Sequence, residues 1–102
     1  MKVQSKEEIL KLLSENNNQL KVYGVTKIGL FGSFIPGEQN DNSDVDLLVE
    51  FDPKKKTFKN FMKTVYFAEK LLGREVEIVT PQSLSPYIAP YIQREIEYVQ
   101  TT

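Results

Sequence analysis

The stretch Ser43-Asp44-Val45-Asp46-Leu47-Leu48-Val49-Glu50-Phe51 limits the possible folds more than any other part of this chain. Its apolar run reads as a strand, and alternate side chains of a strand leave opposite faces. Val45, Leu47, Val49 and Phe51 then share one face, and Asp44, Asp46, Leu48 and Glu50 share the other. The first face demands a core. The second brings two carboxylates together one strand step apart, where they repel unless a cation lies between them. A solvated strand start is the plain alternative, since Asp and Ser are common where a loop meets a strand.

The flanking sequence supplies the elements that could cover such a strand. Ser5 followed by Glu8 reads as a capping box, so a helix is expected from about Lys6. Ile9, Leu13 and Leu20 keep one helical face, Asn16-Asn17-Asn18 weaken the middle, and Gly24 suits the position after the helix. Thr26 to Phe31 reads as a buried strand ending at Gly32, and residues 35–43, dense in turn formers, as a loop. After Asp52-Pro53 and the basic run Lys54-Lys55-Lys56, helical spacing resumes at Phe58, Phe61, Met62, Val65, Ala68 and Leu72, with Gly73 as its stop. Glu75 to Thr80 alternates as a third strand, stopped by Pro81. Ile88, Ile92, Ile96 and Val99 mark a last helix, with Pro86 or Pro90 near its start. The order is α-β-loop-β-α-β-α without repeat or linker, so residues 1–102 are expected to form a single domain.

Composition removes many chemistries. The chain has no cysteine and no histidine. That excludes disulfides, thiolate or imidazole zinc sites and every nucleophile activated by histidine. A metal here must be held by carboxylates, carbonyls and water, as Mg²⁺, Mn²⁺ or Ca²⁺ are. A formal net charge of -1 argues against direct binding to a nucleic-acid backbone. No apolar run approaches a bilayer span and no signal-peptide core follows Met1, so no membrane is expected and the cytoplasm is the expected compartment.

Three pieces carry chemistry. A strand ending in Gly32-Ser33 lets the backbone approach a ligand closely, and free N–H groups with the Ser33 hydroxyl suit an anion such as a triphosphate tail. Alone, Gly-Ser is a plain turn. Asp44 and Asp46 are the second piece. The third is Glu75 or Glu77: if the third strand neighbours the second, the Glu77 carboxylate joins the Asp pair, as metal ligand or as base. An EF-hand reading of residues 41–46 fails, because no frame places Gly sixth and Glu twelfth. The lysine run reads as a solubilising loop. Tyr87, Tyr91 and Tyr98 read as interface residues, for a partner or a second copy of the chain in a homo-oligomer.

Together, Gly32-Ser33, the loop with Gly37-Glu38, the segment Ser43 to Phe51 and Leu72-Gly73-Arg74-Glu75-Val76-Glu77-Ile78-Val79-Thr80-Pro81 resemble the minimal nucleotidyltransferase (MNT) family, small relatives of the polymerase-β-like nucleotidyltransferases. The resemblance runs from about residue 5 to 100. It implies an α+β fold (an α/β sandwich), with a small mixed β-sheet of three or more strands and helices packed on one side. By resemblance, Gly32 and Ser33 hold the triphosphate, Asp44 and Asp46 bind two Mg²⁺ ions, and Glu77 is the third carboxylate; Asp46, deeper in its strand and nearer Glu77, is expected to bridge both ions. The activity implied is Mg²⁺-dependent transfer of a nucleoside monophosphate, AMP from ATP, to a hydroxyl. The implied acceptor is a tyrosine on a HEPN-domain toxin, for which the chain acts as antitoxin. Two positions depart from the family pattern. Glu77 stands where Asp is usual, and Ile35-Pro36 stand where Ala-Arg is frequent. The alternative is therefore a catalytically impaired MNT domain that neutralises a toxin by binding alone. The chain is also too short for a helical acceptor-binding domain, so the second surface must come from a partner or another copy.

Overall fold

A computed structural model describes residues 2–100. The first helix, α1, spans Lys6–Glu15, and Ser5 caps it, its Oγ accepting from the Glu8 N–H at 3.2 Å. The Glu8 carboxylate returns to the Gln4 N–H rather than to Ser5. The helix does not run on to Tyr23. At Asn16 the side-chain amide donates to the Leu12 carbonyl (2.8 Å), and the chain restarts as α2, Asn17–Val22. Asparagine offers the backbone this local alternative to helix continuation. Ile9, Leu13 and Leu20 are nevertheless all fully buried, so the expected face survives the break.

β1 (Val25–Phe31) and β2 (Val45–Phe51) pair antiparallel. α3 (Phe58–Leu72), capped by the Thr57 hydroxyl and closed by Gly73 in left-handed backbone, crosses back so that β3 (Val76–Val79) lies parallel to β2. The Val45, Leu47, Val49 and Phe51 face joins Ile28 and Leu30 of β1, Ile9 and Leu13 of α1, Leu20 of α2, and Ala68 and Leu72 of α3 in one core. This is the expected α+β arrangement of a mixed sheet with helices against one side.

The C-terminal end departs from the expected helix over Ile88 to Val99. A 3₁₀ turn at Pro81–Ser83 leads to α4, Ala89–Glu95, which stops before Ile96. Ile96 is extended, and Glu97–Tyr98 form a short strand, β4, antiparallel to β1 and completing the sheet order β3-β2-β1-β4. Gly29 makes room for it: a Cβ there would stand 2.6 Å from Ile96 Cδ1 and 3.0 Å from Tyr98 Cδ1, so the bare glycine lets these side chains lie close on β1. Leu48 and Ile92 are buried but lie outside the main core.

Arg74 ties the loop ahead of β2 in place. It is only 6% exposed. Its Nε donates to the Val3 carbonyl (2.8 Å), and its Nη1 to the carbonyls of Asn40 (2.9 Å) and Ser43 (2.8 Å). The guanidinium also stacks over the Phe34 ring at 5.0 Å. Replacing it by methionine keeps bulk but removes the side-chain donor to all three carbonyls, of which that of Asn40 retains the Ser43 N–H at 3.1 Å. Urea unfolding of Arg74→Met is expected to show a loss of about 3 kcal/mol.

Candidate active site

The carboxylate face is assembled by strand register. Asp46 of β2 is paired with Phe31 of β1 on one side and with Glu77 of β3 on the other. Parallel neighbours in register point the same way, so Asp46 and Glu77 share the face opposite the core. Val76 is buried and Glu77 exposed, which confirms that parity. Asp44, two residues before Asp46, lies on the same face and is exposed. Glu75 stands one step ahead of β3, where its carbonyl accepts from the Val45 N–H at 2.9 Å. Glu77 is the glutamate in register with Asp46, while Glu75 and Asp44 line one recess.

Gly32 ends β1 beside this face. Its backbone has φ +87°, and a Cβ on it would stand 2.2 Å from Asp46 Oδ2. The glycine is therefore required twice, by its left-handed backbone and by the carboxylate against it. Ser33 follows in a turn in which the Ile35 N–H donates to the Gly32 carbonyl and the Glu38 N–H to the Ser33 carbonyl. Ile35 packs against the core, so the family's frequent Ala-Arg is replaced here by a residue engaged in packing.

A fourth carboxylate, Glu95 at the end of α4, was not singled out by the sequence. Its Oε1 accepts from the Gly32 N–H at 3.2 Å. Only the strand turn at Ile96 brings it here, and no local signal announces that turn.

Crowding of like charge shows in Asp46. Burial first, then the charge and hydrogen bond of Glu77, then the charges of Asp44 and Glu95, push its carboxyl up to about 6. A proton held more tightly in the folded than in the unfolded state means that stability falls as pH rises from about 4 through 6. Asp46→Asn removes this repulsion. In EDTA at pH 7.5 the variant is expected to be more stable than the parent by about 1–2 kcal/mol, the full shift being discounted for solvent screening. The difference should vanish by pH 4, as urea unfolding at both pH values would show.

All the donors on this face are hard oxygens, the set a divalent cation such as Mg²⁺ takes, and a cation would relieve the repulsion that raises Asp46. Among the described residues no three carboxylates enclose an ion as they stand. The fit is one of donor type and shared face, and side-chain rotation would have to complete it. A polar recess of about 360 Å³ beside Asp44 is lined by Lys2, Asp41, Ser43, Arg74 and Glu75. A larger groove of about 580 Å³ between α2 and α3, lined by Val22, Tyr66 and Phe67, includes none of the carboxylates of this face. Tyr87 and Tyr91 are exposed with Ile88, whereas Tyr98 lies in β4 under the Lys27 ammonium.

A glycine turn at the end of one strand, an Asp-x-Asp on the next and a third carboxylate in register beyond it form the arrangement expected from the resemblance to the nucleotidyltransferases. The nucleotidyltransferase domain family covers residues 6–99, and this chain belongs to it. Protein adenylyltransferase MntA of Thermococcus cleftensis is 39% identical over 94 residues, which is 91% of this chain and 94% of that protein. A solved structure assigned to the minimal nucleotidyltransferases superposes with a TM-score of 0.70 at 29% identity, covering 86% of this chain and 93% of that one. The fold is also that of a chain in the complex of a tri-AMPylated HEPN toxin with its MNT antitoxin from Shewanella oneidensis. That match has a TM-score of 0.61 and 17% identity, and covers 91% of this chain and 73% of that one. The chain is thus a minimal nucleotidyltransferase. Among the described residues no helix is long and apolar enough to cross a membrane.

Proposed function

We propose that this protein transfers AMP from ATP to a tyrosine hydroxyl on a HEPN-type toxin partner and thereby acts as its antitoxin. The observation that carries this reading is the register of Asp46 with Glu77 on the face where Asp44 and Gly32 also lie. The relative named as a protein adenylyltransferase and the toxin–antitoxin complex of the same fold support the acceptor class.

Gly32 and Ser33 receive the triphosphate through backbone N–H and hydroxyl donors. Asp44, Asp46 and Glu77 are the residues that would hold Mg²⁺. Bound there, the metal supplies charge neutralisation at the triphosphate and acidifies the attacking hydroxyl. The acceptor oxygen forms a bond to the α-phosphorus as the bond to pyrophosphate breaks, and the hydroxyl proton passes to a carboxylate of this face or to water. The surrounding protein has only to position these groups. Glu77 reaches further than an aspartate by one methylene, and among the described residues no three carboxylates enclose an ion in this conformation. These two facts favour the second reading, a domain that binds the toxin without modifying it.

The deciding experiment incubates the chain with labelled ATP, Mg²⁺ and a candidate HEPN-domain acceptor protein. Label on a tyrosine of that protein, absent when EDTA is added, is the expected result. Tight complex formation without label would establish the binding-only reading. Neither label nor complex would remove both.

A further inference from the structure

The Glu95 carboxylate occupies the position at Gly32 that an anionic ligand of this turn would need. Its location is built rather than incidental. Directly after it, Ile96 lies on Gly29, Tyr98 pairs with Gly29 and Glu97 with Leu30, and the Val99 N–H donates to the Ile28 carbonyl at 2.9 Å. Lys6 holds Glu97 from the other side at 2.8 Å. The backbone of Glu95 is therefore anchored at the end of β1, and its Oε1 meets the Gly32 N–H at 3.2 Å. A carboxylate oxygen accepting from a backbone N–H makes the same kind of hydrogen bond as a phosphate oxygen would. The side chain is exposed, so it can leave without opening the core.

We infer that Glu95 is a built-in competitor for the triphosphate, holding the Gly32 N–H until a polyphosphate displaces it and so weakening nucleotide binding in the resting protein. This rests on the reading of Gly32-Ser33 as the triphosphate turn. Glu95 is acidic as well as an acceptor, so it opposes the ligand both by occupying the donor and by its charge.

The test is calorimetric titration of wild type, Glu95→Ala and Glu95→Gln with a non-hydrolysable ATP analogue, with inorganic tripolyphosphate and with adenosine, each with and without Mg²⁺. Glu95→Ala is expected to bind the two polyphosphates roughly three- to tenfold more tightly, since one charge-assisted hydrogen bond at an exposed position is removed. Glu95→Gln, a neutral acceptor, should fall between. Adenosine affinity should not change, and a purely structural role for Glu95 cannot produce a gain confined to polyphosphates. Unchanged or weaker polyphosphate binding by Glu95→Ala, with wild type binding normally, would overturn the competitor role and leave the triphosphate turn standing. No polyphosphate binding by any of the three would sink the turn assignment together with it. Binding by the variants alone would support the inference in its strongest form.

Discussion

With Asp44 and Asp46 both replaced by asparagine, nucleotidyl transfer is expected to fall by about a thousandfold or more, while the domain still folds. The asymmetry comes from where the two residues sit. Neither belongs to the core, whose β2 contribution is Val45, Leu47, Val49 and Phe51. Asp46 is a destabilising group in the metal-free fold, raised to about 6 by burial and by its acidic neighbours. Removing it relaxes the structure as it removes the proposed metal ligand. Loss of activity with an unchanged or raised melting temperature is the signature to look for, read by transfer of labelled AMP beside a thermal scan. A double variant that still transfers at the parent rate would mean that the chemistry lies elsewhere on the chain.

The second large effect is expected at Gly32. Alanine there carries a strained left-handed backbone and a methyl group 2.2 Å from Asp46 Oδ2. Either the strand end or the Asp46 side chain has to move by about an ångström, a displacement able to cost about a hundredfold in transfer. Gly37 separates the two causes. It also has positive φ, 77°, but a Cβ on it meets nothing within 4 Å. Gly37→Ala should lose stability comparably, about 1 kcal/mol, yet keep its activity. Equal activity losses in both variants would assign the Gly32 effect to backbone strain rather than to the collision with Asp46.

The parts of this site that strand alternation controls were legible in the sequence. Period two placed Asp44 and Asp46 together and Glu77 on the exposed side of its own strand, and the parallel β2–β3 pairing joined them. Helix caps at Ser5 and Gly73 also follow from local chemistry alone. What sequence could not show depends on contacts distant along the chain. Ile96 and Val99 keep helical spacing with Ile88 and Ile92. Room for Ile96 on the sheet is made by the missing side chain at Gly29, far away in sequence, and Glu95 reaches the site with that turn. Arg74 is of the same kind: an arginine beside a glycine reads as solvent-exposed until the carbonyls of Val3, Asn40 and Ser43 close around it.

The brevity of β4 has a consequence for motion. Two residues long, it hangs on the edge of β1 by few backbone hydrogen bonds, and closing it joined Gly29 to Tyr98 across most of the chain. Segments of this kind open locally at a fraction of the cost of global unfolding. The Val99 amide, bonded to the Ile28 carbonyl, should therefore exchange its proton for deuterium well before the amides between β1 and β2. Glu95 directly precedes that edge, so each opening of β4 loosens the anchor that keeps its carboxylate near the Gly32 amide.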